Sequence, residues 1–317
     1  VPTTLTITPP GDFDLARDVC SYGYFLLEPN HWDPEARTLS RVLDPGGTPA
    51  LSMIDQRLSG GLRARFDRTL SRPEQHAARS QIVRMLSLDL PASDVADFHR
   101  TDPRWKKSGR ARLFRSPTLF EDIIKTVTSC NVAWPGTITM NRRLCEVMGA
   151  RCVSGARAFP TPAKLSRANP ATLRARCRVG YRDARIVELA KLTRAGEIDE
   201  AWLSDLATDD EAVFKFLKTL PGIGPYAAGN IMQLLGRYSR LALDTESVRH
   251  ARAVLGMEGP DAALMKRLAA HYEPFGRHKF RSYWFELWDF YESRRGPAHT
   301  WDRHTTGTTF TAAQLAD

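Results

Sequence analysis

Seven consecutive residues, Leu220-Pro221-Gly222-Ile223-Gly224-Pro225-Tyr226, lie between two stretches of helical patterning and can bring bare backbone against a phosphate. Proline and glycine close the first helix and permit a tight turn, and Pro225 starts the next helix with φ already fixed. The N–H groups that open this second helix sit at the positive end of its dipole, so the turn can bind an anion. A P-G-x-G turn by itself also serves as a mere connection between helices. Twenty residues past Gly224, the apolar run Leu241-Ala242-Leu243 delivers a carboxylate, Asp244, to the start of another helix. Aspartate at that place is a good N-cap. It is also a fixed negative charge that can steady a developing cation, and both roles stay open.

The elements that must position these residues are mostly helical. Residues 1 to about 110 read as a mixed lobe, with β-prone stretches at Leu5 to Thr8 and Tyr22 to Leu27 between Pro- and Gly-rich turns, and one helix at Pro73 to Leu86. A small antiparallel sheet is expected there. From Arg112 onward the period is helical. Ser116-Pro117 reads as an N-cap followed by proline, with Phe120, Ile123, Ile124 and Val127 on one face up to about Asn131. Further helices are expected at Tyr181 to Thr193 (closed by Gly196), from Asp209-Asp210, at Pro225 to Gly236, and at Thr245 to Leu255. Tyr283 to Tyr291 is apolar nearly all round and reads as a buried helix. The segment from Gly296 to Asp317 is short of large apolar residues and reads as an extended or frayed tail. The fold class is therefore α+β, mainly α. It divides into an N-terminal domain at 1–110, a helical core at 111–295 carrying the hairpin at 220–226, and a tail at 296–317.

The 317 residues carry 45 basic and 36 acidic side chains, a formal charge of +9. That excess invites a polyanion, although a solvated basic surface is the plainer reading of charge alone. No run approaches the roughly 20 apolar residues of a membrane-spanning helix, so no membrane partner is expected. The five cysteines, at 20, 130, 145, 152 and 177, are odd in number and include no C-x-x-C pair. Neither a disulfide framework nor a zinc site is indicated, and the histidines at 250, 271 and 278 form no H-E-x-x-H motif. Cys145 and Cys152 have six residues between them, as in one gap of the iron-sulfur loop of some DNA repair glycosylases, but no second pair follows. No iron-sulfur cluster and no other cofactor is expected.

L-P-G-I-G-P-Y-A-A followed by L-A-L-D at this spacing resembles the helix-hairpin-helix (HhH-GPD) DNA glycosylase superfamily, whose signature is such a hairpin, a Gly/Pro-rich turn and a downstream catalytic aspartate. Matches extend to S-P-T-L-F-E-D-I-I-K-T at 116–126, to Gly180-Tyr181-Arg182 through Ala190, and to R-S-Y-W-F-E-L-W at 281–288. The resemblance covers about Arg112 to Tyr291, more faintly Phe13-Asp14-Leu15. It is closest to the three-domain branch of the AlkA-type 3-methyladenine and the 8-oxoguanine glycosylases.

The resemblance implies a monomeric enzyme acting on double-stranded DNA that contains a modified base. It would be cytoplasmic and nucleoid-associated in a bacterium, or nuclear in a eukaryote. Asp244 becomes the catalytic carboxylate, and Gly222, Gly224, Pro225, Tyr226 and Ala227 become the phosphate-binding hairpin. A sodium or potassium ion is implied at the backbone carbonyls of Leu220 and Ile223, with no catalytic metal. Asn131 takes the place of a residue that fills the gap left by a flipped base, although Val132-Ala133-Trp134-Pro135 departs from the 8-oxoguanine branch, including its arginine that reads the opposite base. Trp134 is a wedge or a core residue. Tyr226, Trp134, Tyr22 and Tyr24 are candidates for stacking on the extruded base. Bifunctional members carry a lysine after the proline where this chain has Tyr226, which implies a monofunctional glycosylase using water. An alkylated purine is the leading substrate, because such bases leave readily from a permissive pocket. The alternatives are 8-oxoguanine, a hypermodified pyrimidine of foreign DNA, or a hairpin module without catalysis.

Overall fold

The computed structural model describes residues 1–311. Five strands, β1 Thr4–Ile7, β2 Asn30–Asp33, β3 Thr38–Leu43, β4 Ala50–Gln56 and β5 Leu62–Phe66, precede the principal helices, with a short helix at Leu15–Val19 between the first two strands. The principal helices are α1 Arg72–Met85, α2 Ala92–Thr101, α3 Leu119–Ser129, α4 Trp134–Met148, α5 Asp183–Ala195, α6 Asp210–Leu217, α7 Pro225–Leu234, α8 Thr245–Ala253, α9 Asp261–Tyr272 and α10 Lys279–Arg295. The architecture is the expected α+β, mainly α. Among the described residues no helix is long and apolar enough to cross a membrane.

The chain folds as two compact units. One comprises Val1–Pro91 and Arg112–Asp199, and the other Ala92–Ala111 and the chain from Glu200 onward. A break does fall at Ala111–Arg112, near the expected division, but Arg112–Asp199 joins the N-terminal strands instead of the later helices, and side-chain chemistry explains why. In the first unit the sheet is antiparallel with order β1-β5-β4-β3-β2. Its register lines up Leu5, Ala64, Ile54, Leu39 and Trp32 across five strands, a continuous apolar row on one face. Arg41, two residues beyond Leu39, points to the same buried face. Its guanidinium meets Glu121 Oε2 of α3 at 2.9 Å and Asn30 Oδ1 at 2.8 Å, while Lys125 Nζ lies 2.7 Å from Glu121 Oε1. Burial pushes the Glu121 pKa up, but Arg41 and Lys125 outweigh it and hold the carboxyl below its ordinary value. This buried ionic group binds α3 to the sheet, so the two belong to one body.

In the second unit α2 packs on α10. Phe98 lies 5.9 Å from Phe285 and 5.6 Å from His278, and Asp94 Oδ2 reaches Arg281 Nη1 at 2.7 Å. The expected buried helix at Tyr283 to Tyr291 is the centre of α10, with Tyr283, Phe285, Leu287, Trp288 and Tyr291 in the core. Beyond it, the segment read as a frayed tail is docked. Trp301 and Phe310 are buried, stack with centroids 5.0 Å apart, and both pack on Trp288 at 5.5 Å. Residues 312–317 of that expected tail lie outside the described residues.

Two further local expectations are corrected. Tyr22 to Leu27 is not a strand but a 3-10 turn at Gly23–Leu26, fully buried, and a short buried apolar run is compatible with either form. The cap of α3 is Thr118 rather than Ser116. Its side chain accepts the Glu121 N–H at 3.3 Å, while the Ser116 N–H donates to Asp122 Oδ1 at 2.8 Å.

Candidate active site and nucleic-acid interface

The hairpin forms as its residue types dictate. Helix α6 ends at Leu217, and the turn that follows it is closed by the Ile223 N–H donating to the Leu220 carbonyl at 3.1 Å. Gly222 then adopts φ 78°, a conformation that favours glycine. Gly224 caps α7 in an extended conformation, Pro225 takes the first helical position, and the first helical bond runs from the Ala228 N–H to the Gly224 carbonyl at 2.9 Å. The N–H groups of Tyr226 and Ala227 precede that bond, at the positive end of the helix. Gly222, Gly224 and Pro225 are exposed, Tyr226 is half-buried and Ala227 is buried.

Helix α7 also positions the carboxylate. A Cβ on Gly229 would lie 3.2 Å from the Leu241 carbonyl oxygen and 3.4 Å from the Ala242 Cα, so glycine lets the 241–243 run lie this close to the helix without crowding. That run ends at Asp244, the N-cap of α8. One carboxylate oxygen, Oδ1, accepts the N–H groups of Glu246 and Ser247 at 3.0 and 3.1 Å and the Ser247 hydroxyl at 3.3 Å. The Asp244 N–H donates back to Ser247 Oγ at 3.1 Å, completing a capping box. Among the described residues Oδ2 receives no hydrogen bond. Burial raises the Asp244 pKa above its ordinary value, as does neighbouring Glu246, against the pull of the Ser247 N–H and hydroxyl. The cap and the available charge are thus two functions of two oxygens of one side chain.

Beside the hairpin the same unit holds an open groove of about 620 Å³ whose walls include Phe214, Tyr226, Arg240, Leu241, Leu243 and Lys279. Tyr226 therefore faces a recess. Arg240 lies over the Phe214 ring, 4.0 Å from its centroid, and Lys279 donates to Glu273 Oε2 at 2.7 Å.

In the first unit Asn131 is exposed, just past the end of α3, with φ 52°. Its amide donates to the Tyr181 hydroxyl at 3.2 Å. Tyr181 is half exposed and its ring is flanked by the guanidinium groups of Arg182 and Arg185, 4.5 and 5.1 Å from the centroid. Arg182 itself is buried, donating to the carbonyls of Val127 at 3.0 Å, Val179 at 3.3 Å and Cys130, and so holds the loop that presents Asn131. In the sequence, Tyr181 reads only as part of the Gly180-Tyr181-Arg182 motif. The arginines at 182 and 185, which frame its ring, were the available signal. Trp134 is half-buried at the first position of α4, next to the exposed Val132 and Ala133. Tyr22 and Tyr24 are buried at 5 and 2% exposure, stand edge to face 4.7 Å apart, and Tyr24 shares a 2.9 Å hydrogen bond with Thr126. The structure gives these two rings a packing role in place of the stacking surface expected of them. None of the five cysteines forms a disulfide.

The fold that carries this site is one seen before. No protein-family model and no curated protein matches the sequence. Solved structures do match it. A 3-methyladenine DNA-glycosylase from Archaeoglobus fulgidus superposes with a TM-score of 0.69 at 18% identity, over 90% of this chain and 98% of that one. The 8-oxoguanine glycosylase/lyase of Clostridium acetobutylicum in its apo form gives 0.67 at 18% identity, over 90% and 98%. MBOgg1 in complex with a low-affinity DNA ligand gives 0.68 at 16% identity, over 91% and 96%. The chain has the fold of these DNA glycosylases throughout nearly its whole length.

Proposed function

We propose that the protein is a DNA glycosylase that flips a modified base out of the duplex and hydrolyses its N-glycosidic bond with water, leaving an abasic site. The observation that carries this reading is Asp244. One of its carboxylate oxygens is saturated by the cap of α8, the other is unbonded, and the run that delivers it lies against the hairpin helix. As the base departs with the bonding electron pair, positive charge builds at C1′ of the deoxyribose. A carboxylate fixed beforehand stabilises that charge without reorganising, and it can orient the water whose oxygen then bonds to C1′.

The exposed hairpin of Gly222, Gly224 and Pro225 and the opening N–H groups of α7 are the phosphate contact in this reading, supported by the net charge of +9. The backbone carbonyls of Leu220 and Ile223 would hold a monovalent cation in this reading, which would add positive charge beside the phosphate. Leu220 would supply its second lone pair, since the first accepts the Ile223 N–H. Asn131 and Tyr181 form a polar and aromatic pair suited to fill and wedge the gap left by the flipped nucleotide.

Water is proposed as the nucleophile because Tyr226 follows Pro225, where an amine could have attacked C1′. The nearest lysines in sequence, Lys215 and Lys218, are exposed on and just after α6, Lys215 3.8 Å from Glu211 and Lys218 5.3 Å from the Phe214 ring centroid. An alkylated purine is the proposed substrate, since an electron-poor base leaves with modest assistance. Base release from duplexes carrying alkylated purines, with the strand left intact and no adduct trapped by borohydride, is the expected result. Strand cleavage with a trapped adduct would replace water by an amine, and release of 8-oxoguanine or a hypermodified pyrimidine instead would replace the substrate.

A further inference from the structure

Ser247 and Tyr283 stand thirty-six residues apart and meet directly behind Asp244. Ser247 Oγ is fully buried. It receives the Asp244 N–H at 3.1 Å, lies 3.3 Å from Asp244 Oδ1, and lies 2.8 Å from the Tyr283 hydroxyl oxygen. A serine hydroxyl has one hydrogen to give and two lone pairs to fill. When Tyr283 donates to Ser247, the Asp244 N–H and the Tyr283 O–H fill both lone pairs, and the single Ser247 hydrogen is left for Asp244 Oδ1. Every donor in the set then has an acceptor.

Tyr283 is well placed to hold that arrangement. It is 3% exposed, and its ring is fixed by edge-on contacts with His250 at 5.4 Å, Tyr272 at 5.5 Å and Phe280 at 6.1 Å. Tyr272 is itself tied, donating to Glu286 Oε1 at 3.0 Å and lying 3.0 Å from His250 Nε2. The other charge facing Asp244 is Glu246, whose carboxylate is held by Tyr291 and by Arg249 at 3.1 Å.

We infer that Tyr283 is a positioning residue that acts through Ser247 on Asp244, directing the serine hydrogen to Oδ1 so that this oxygen is saturated and Oδ2 alone faces the reacting sugar. The inference rests on the glycosylase reading for its consequence, but the hydrogen-bond chain can be read without it. Removing either hydroxyl withdraws stabilisation from the ionised carboxylate and lets the side chain rotate. Burial of Asp244 already favours its neutral form, so these donors matter more as the pH falls.

Two measurements test this on the full chain. In single-turnover base release, Ser247→Ala is expected to be slowed about tenfold at the acidic end of the pH profile and less at the alkaline end, with unchanged DNA affinity. Tyr283→Phe should show a smaller loss of the same shape, Ser247→Thr should keep most of the rate, and the double variant should be no slower than Ser247→Ala. Independently, the carboxyl 13C resonance of Asp244 should titrate at higher pH in Ser247→Ala and Tyr283→Phe than in the wild type, with melting temperature confirming that each is folded. An unmoved titration midpoint in both folded variants overturns the inference, whatever the enzyme does. A shifted midpoint in a protein that releases no base from any duplex leaves the hydrogen-bond chain standing and removes the glycosylase reading alone. Parallel pH profiles for wild type and variants would overturn the positioning role.

Discussion

Replacing Gly229 by alanine places a methyl group against the segment that delivers Asp244. Two opposing effects decide the outcome. Alanine is favoured over glycine in a helix interior by about 1 kcal/mol. Against this, the new Cβ would lie 3.2 Å from the Leu241 carbonyl oxygen, 3.4 Å from the Ala242 Cα and 3.5 Å from its Cβ, so backbone on the 241–243 run must retreat by a few tenths of an ångström. Crowding of this kind in a packed core costs about 1–3 kcal/mol, and the net destabilisation should be about 0–2 kcal/mol. The catalytic loss should be of the same order as the stability loss, about 0.7–1.4 kcal/mol. Asp244 follows Leu243 directly, and a displacement of about 1 Å at a reacting group can cost about a hundredfold, so a few tenths of an ångström should slow base release about three- to tenfold. Single-turnover kinetics on a duplex with an alkylated purine, alongside thermal melting, reads both. A variant that melts higher and releases base at the wild-type rate would refute the claim that this glycine sets the position of Asp244.

Further outcomes follow from the same geometry. At Gly224 a Cβ meets nothing within 4 Å and φ is −89°, so Gly224→Ala should leave the melting temperature unchanged. It should nonetheless weaken DNA binding severalfold in a salt titration, because the methyl occupies the approach to the α7 amides. Glu121→Gln leaves Arg41 and Lys125 facing each other in the core and should cost about 3–5 kcal/mol, read by denaturant unfolding. Because the Glu121 pKa is held below its ordinary value, its contribution is present above the unfolded carboxyl pKa and is lost as pH falls through the folded one, so the wild-type advantage over Glu121→Gln should shrink in acid. Trp301→Ala empties a buried site against Trp288 and Phe310 and should cost about 3–5 kcal/mol in thermal or chemical unfolding. Since the Asp244 pKa is raised, its ionised form opposes folding. Asp244→Asn, which keeps an N-cap oxygen, should melt no lower than the wild type at pH 7.

The parts of the molecule legible from the chain are those written in local backbone chemistry. Gly222 at positive φ, Pro225 at the first helical position and Asp209 and Asp244 as caps are each dictated by a residue type at one place. What could not be read depends on distant pairings. Trp301 and Phe310 carry no periodicity and find their place only against Trp288. Tyr22 to Leu27 is an apolar run that suits a strand or a buried turn equally, and the choice is made by packing, with Tyr24 bonded to Thr126. Arg41 looks like a strand's surface charge until Glu121 is placed opposite it. In the candidate site the carboxylate and hairpin were visible, whereas Ser247 with Tyr283 and Asn131 with Tyr181 are joined by folding across 36 and 50 residues.

The most direct test is base release, followed by mass spectrometry, from duplexes carrying alkylated, oxidised, deaminated and hypermodified bases, with wild type and Asp244→Asn side by side. The account predicts a free alkylated purine and an uncut abasic strand from the wild type, with release lost in Asp244→Asn while DNA binding persists. Base release at the wild-type rate by Asp244→Asn, or no release from any duplex despite salt-sensitive DNA binding, would contradict it.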